Sequence, residues 1–167
     1  DFIERRFLGF HYAKEILPCV KGETTCPFEE TWYKQDYGSV SKVELSRSYD
    51  SAGTLISASS SVYTTNGDTV PYTSFDTGIW AHVYDATGAS KSKVTYAAKV
   101  FDSFGNVAQE TSYGDYNVSG DEKTIATSYA VDLASYNVGK PATIATYVGV
   151  GTGAAVVRAR ERPRTHR

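Results

Sequence analysis

The sequence predicts an all-β chain built from consecutive antiparallel β-hairpins, and three observations carry that expectation. Val, Thr, Tyr and Ser are abundant, with 13 tyrosines, scarce Leu and no Met. Such residues suit a pleated, half-buried surface, whereas the residues that fill helices are thin. Apolar residues alternate with polar ones at period two, and no convincing helical period appears between residues 30 and 157. The alternating runs are punctuated by Asp-x-x-Gly segments of the kind that close hairpins.

Residues 1–17, DFIERRFLGFHYAKEIL, are ambiguous, with Gly9 and the surrounding aromatics favouring strand. Cys19 and Cys26 follow in LPCVKGETTCPF. Either they close a short hairpin loop as a disulfide, which suits an oxidising compartment, or they stand as two reduced thiols. Their spacing is not one that zinc sites use, and no fourth ligand accompanies them and His11. Residues 42–50 alternate cleanly, with Val43, Leu45 and Tyr49 opposed to Lys42, Glu44, Ser46 and Ser48. Asp50-Ser51-Ala52-Gly53 then turns the chain into a second strand, TLISASSSVYTT. Asp at the first turn position accepts hydrogen bonds from the N–H groups ahead of it, and Gly at the fourth takes a positive φ.

The same unit returns. Residues 79–84 form an apolar-aromatic run into Asp85-Ala86-Thr87-Gly88, and residues 93–101 alternate into Asp102-Ser103-Phe104-Gly105, with 106–113 as the return strand. Residues 66–76 read as a longer loop, 124–131 and 142–150 as strands, and 137–141 as the turn between them. The expected organisation is a hairpin-rich segment over 1–157 and an Arg-rich tail over 158–167. The tail, RARERPRTHR, reads as a disordered end rather than an anion-binding arm, because no aromatic is interleaved in it.

The length of 167 residues suggests one domain. A formal net charge of −2 argues against a dedicated nucleic-acid binder. No run of about 18 apolar residues is present to span a membrane. No basic region followed by an apolar core opens the chain, so no signal peptide is expected. The absence of Met suggests a piece of a longer protein or a processed chain.

Candidate chemistry is sparse. Gly149-Val150-Gly151-Thr152-Gly153-Ala154 matches a dinucleotide-binding spacing, but too little chain follows it for a helix and an acidic second strand. A glycine linker is the plainer reading. His82 lies in GIWAHVYD on one strand face with Trp80 and Tyr84, as a packed strand residue rather than a base. Neither a nucleophile elbow nor a P-loop occurs. Glu29 and Glu30 beside Trp32 suggest a glycosidase acid with no partner that can be placed. Trp32, Tyr33, Trp80 and Tyr84 suit either a sugar-stacking platform or cross-strand packing. No catalytic, cofactor-binding or metal-binding residue is therefore expected, and no enzyme.

The aromatic-Asp-x-x-Gly segments resemble the Rhs or YD-repeat family. Tyr49-Asp50-Ser51-Ala52-Gly53, Tyr84-Asp85-Ala86-Thr87-Gly88 and Phe101-Asp102-Ser103-Phe104-Gly105 carry the likeness, separated by 35 and 17 residues. Arg6-Phe7-Leu8-Gly9-Phe10 and Thr31-Trp32-Tyr33-Lys34-Gln35-Asp36 further resemble the B component of bacterial insecticidal Tc toxins and related secreted virulence proteins. The third copy begins with Phe, and the second has Gly88-Ala89-Ser90 where an apolar residue is usual. The resemblance implies a secreted, non-enzymatic scaffold. Its hairpins form part of a curved sheet or shell that encapsulates a toxic C-terminal polypeptide. Its partners are then that polypeptide, the rest of the shell or a toxin-complex subunit. The alternative is a free-standing β-sandwich that binds carbohydrate or a cell surface.

Overall fold

A computed structural model describes residues 7–84, 91–153 and 156–161, with backbone alone for 91, 92 and 156–161. The described chain is all-β. It divides into two compact units, Asp1–Val94 and Thr95–Arg167.

The first unit is an antiparallel meander of β1 (Tyr12–Ile16), β2 (Phe28–Tyr33), β3 (Val43–Tyr49), β4 (Leu55–Asn66) and β5 (Thr73–Tyr84), paired in chain order. The second holds β6 (Lys91–Phe101), whose first residues precede the boundary, then β7 (Val107–Asp115), β8 (Lys123–Asp132), β9 (Asn137–Val148) and β10 (Val156–Glu161), again in chain order. Within each unit, the contacts between described strands join sequence neighbours. Among the described residues neither unit therefore folds a second sheet over its first, which is what a β-sandwich would require.

The packing follows from this. Among the described residues no hydrophobic side chain is buried, and the fully buried side chains are Thr124 and Ser39. Along β5 the exposure alternates: Ile79 and Val83 are exposed, while Trp80, His82 and Tyr84 are half-buried. The period-two pattern thus sorts side chains between two faces, but neither face is sealed.

Two expected loops are strand. The 66–76 segment contracts to a loop over 67–72, because Thr65 pairs with Ser74 and Asn66 with Thr73. Asn66 closes that loop by donating from Nδ2 to the carbonyls of Thr69 (3.1 Å) and Pro71 (3.2 Å). Residues 137–141 belong to β9, and the reversal lies at 133–136. Pro141 is tolerated because it pairs with Tyr129 beside a register shift, where a ladder hydrogen bond is already lost. The Arg-rich segment enters β10 through Arg158 and Arg160, which pair with Thr146 and Ile144, so 157/158 is not a break between strand and tail. The remainder of that segment lies outside the described residues.

Candidate functional site

The predicted turn residues form two matching devices. At the β3–β4 turn, Asp50 Oδ1 accepts from the N–H groups of Ala52 (2.9 Å) and Thr54 (2.7 Å), and Gly53 N–H donates to the Asp50 carbonyl at 3.1 Å. At the β6–β7 turn, Asp102 Oδ1 accepts from Phe104 and Asn106, both at 2.9 Å, and Gly105 N–H donates to the Asp102 carbonyl at 3.1 Å. Gly53 and Gly105 have φ of 81° and 83°, the left-handed region that the bulge after the turn demands. Tyr49 and Phe101, the aromatic leaders, each sit at a register shift. Tyr49 stacks on Phe28 at 4.5 Å between centroids. The Asn106 side-chain amide, followed by the backbone donors, holds the Asp102 carboxyl below the usual aspartate range. Asp85 and Gly88 lie outside the described residues. Tyr84 ends β5 and stacks near His82 at 6.4 Å.

A second device uses Asp-x-x-Ser. Ser39 Oγ donates to Asp36 Oδ2 at 2.6 Å, and Ser135 Oγ donates to Asp132 Oδ2 at 2.7 Å. In both, the serine hydroxyl is the leading cause of a lowered aspartate pKa. Sequence reasoning missed this pair, although Asp36-Tyr37-Gly38-Ser39 and Asp132-Leu133-Ala134-Ser135 are visible in the chain.

The two halves of the opening motif meet in space. Gln35 Nε2 donates to the carbonyls of Phe10 (3.2 Å) and Leu8 (3.4 Å). Gly9 between them has φ 85°, and a Cβ there would stand 3.0 Å from Ser41 Oγ. Gln35 therefore ties the segment before β1 to the turn after β2.

Cys19 and Cys26 form a disulfide. The loop it closes leans on the β3–β4 turn: Ser51 Oγ donates to Glu23 Oε1 at 2.7 Å, and Thr25 Oγ1 donates to the Ser51 carbonyl. An open concavity of about 440 Å³ lies where this loop, the turn and Lys14, Ile16 and Phe28 converge.

Cross-strand register places Tyr12, Trp32, Leu45, Ser60 and Trp80 in one row of the first unit. On this face Tyr12 and Trp32 lie 5.3 Å apart, Lys14 Nζ sits 3.6 Å above the Phe28 ring and Arg47 lies 5.2 Å from Trp32. Tyr12 donates to Glu30 Oε1 at 2.8 Å, which lowers the Glu30 carboxyl and raises the Tyr12 phenol. Glu29 points to the opposite face and accepts from Ser48 Oγ at 3.1 Å. Successive strand residues face opposite ways, so Glu29 and Glu30 cannot share a substrate. Ser46, Ser48, Ser57, Ser59 and Ser61 share that second face.

In the second unit, the glycine-rich segment is a hairpin turn into β10 rather than a phosphate cradle at a helix. Thr124 Oγ1 donates to the Gly149 carbonyl at 2.8 Å and accepts from Gly151 N–H at 2.9 Å. Its neighbour across the ladder, Thr111, lies 3.2 Å away between hydroxyl oxygens. This lock was not foreseen. Ala154 lies outside the described residues.

Among the described residues no group of three His, Cys, Asp or Glu is placed to hold a metal. No helix is long and apolar enough to cross a membrane among the described residues. No family model matches the chain, and no curated protein or solved structure matches it significantly.

Proposed function

We propose that this chain is a non-enzymatic structural segment, a piece of β-wall of the Rhs/Tc kind from a secreted bacterial toxin. In this reading, the rest of the wall and an enclosed toxic polypeptide are its partners. The observation that carries the reading is the lack of any buried hydrophobic side chain among the described residues, combined with strands that contact their sequence neighbours. Folding against water requires apolar area to be removed from it. A meander with two half-covered faces gains the missing burial from a larger structure. The strand β1 supports the same reading: all five of its residues are exposed, and its described pairing is with β2 alone. A strand with one free edge is a template for another strand. The serine-rich face suits a hydrated wall.

Solution size tests this. Size-exclusion chromatography with light scattering across a concentration series is expected to show association that grows with concentration. A stable 18.2 kDa monomer at every concentration would overturn the proposal.

A further inference from the structure

We propose that the Cys19–Cys26 disulfide is a thiol-sensitive clasp that holds the 20–25 loop on the β3–β4 turn and opens in a reducing compartment. The hairpin ladder ends just before the clasp, where Leu17 N–H donates to the Pro27 carbonyl at 2.9 Å. Beyond that point the loop is organised by polar contacts. Glu23 Oε2 accepts from Val20 N–H at 2.8 Å, and Glu23 N–H donates to the Val20 carbonyl at 3.0 Å. The other oxygen of the same carboxylate accepts from Ser51, and Thr25 bonds the Ser51 carbonyl. One carboxylate thus shapes the loop and docks it on a turn 28 residues away in sequence.

These contacts are exposed, so each is worth little by itself. They form together only when the loop ends are held together, and the disulfide supplies that constraint by removing open-loop states. Cys19 is exposed, so a reductant can reach it. The chemistry is ordinary thiol–disulfide exchange with a dithiol. A thiolate of the dithiol attacks one sulfur, the Cys19–Cys26 bond breaks and the other cysteine leaves as a thiolate that takes a proton. The second thiol of the reductant then displaces the first cysteine and leaves as a disulfide. Two electrons pass to the protein, and the dithiol is oxidised. With the clasp open, Glu23 and Thr25 leave Ser51, and the wall that Thr24 and Thr25 give the concavity is lost. The inference is independent of the toxin reading.

The test is amide hydrogen exchange on the full chain, oxidised and after dithiothreitol, with alkylation to verify reduction. The Cys19→Ser/Cys26→Ser double variant serves as a permanent open state. Reduction is expected to speed exchange at Val20 and Glu23 at least tenfold. Gly105 and Asn106, in the matching turn that has no disulfide, should change less than threefold. Unchanged exchange at Val20 and Glu23 after complete reduction would overturn the proposal. So would an equal acceleration at Gly105 and Asn106, which would make the disulfide a global staple rather than a local clasp.

Discussion

Replacing Thr124 with Val isolates the polar lock in the second unit. The two side chains are nearly isosteric and both β-branched, so strand preference and volume barely change. What disappears is one hydroxyl that donates to Gly149, accepts from Gly151 and meets Thr111. Thr111 still accepts from Gln109 Nε2 at 3.3 Å, but the Thr124 proton is committed to Gly149, so Thr111 is the donor across the ladder and its O–H loses that acceptor. The Gly149 carbonyl and the Gly151 N–H lose their partners. Leaving a buried backbone group unsatisfied costs about 1–3 kcal/mol, and these two are part-buried, so the lower end applies to each. The expected destabilisation is about 2–3 kcal/mol, a large share of a typical stability of about 5–15 kcal/mol. Thr124→Ser keeps the hydroxyl and loses one methyl, for about 1 kcal/mol. Urea titration of the three proteins, with unchanged slopes, measures the differences. If Thr124→Val lies within about 0.5 kcal/mol of the parent, or costs less than Thr124→Ser, the hydroxyl does not lock this turn.

Two further predictions concern the turns. Gly53→Ala should cost about 1–2 kcal/mol in urea titration, because φ of 81° is left-handed while the space around a Cβ is open. The native-state pKa of Asp102 is lowered, so its contribution is present above the ordinary aspartate range and is lost as pH falls through the folded value. Urea midpoints from pH 6 to pH 2 should therefore fall less steeply for Asp102→Asn than for the parent, and identical slopes would contradict the hydrogen bonds assigned to that carboxylate.

Much of the fold was legible because strand alternation and turn chemistry are local. Asp50 with Gly53 and Asp102 with Gly105 contain their own explanation within four residues, and both fold as their spacing implies. The loop over 67–72 was overestimated because Thr and Ser mark strands and loops alike. Asn66, Thr73 and Ser74 became strand only through pairing across the hairpin. Pro141 was misread as a turn residue for a related reason, since its tolerance depends on a register shift created by the partner strand. The Gln35 tie and the Thr124 lock join residues 25 and 27 positions apart. No composition or period announces such contacts. The disulfide stayed open at the sequence level because spacing permits a bridge without requiring one.

The neighbour-to-neighbour strand order also governs how each unit comes to be folded. A rung between adjacent strands closes a short stretch of chain, so its entropic cost is small and no hairpin waits for a distant segment. Stability in such an array is close to a sum of rungs and the interfaces between them, and structure can start at any hairpin and spread. Each unit is then a zipper. A chain delivered end-first through a narrow conduit sets each hairpin as its second arm emerges, and damage at an outer strand such as β1 removes one rung while leaving those behind it closed.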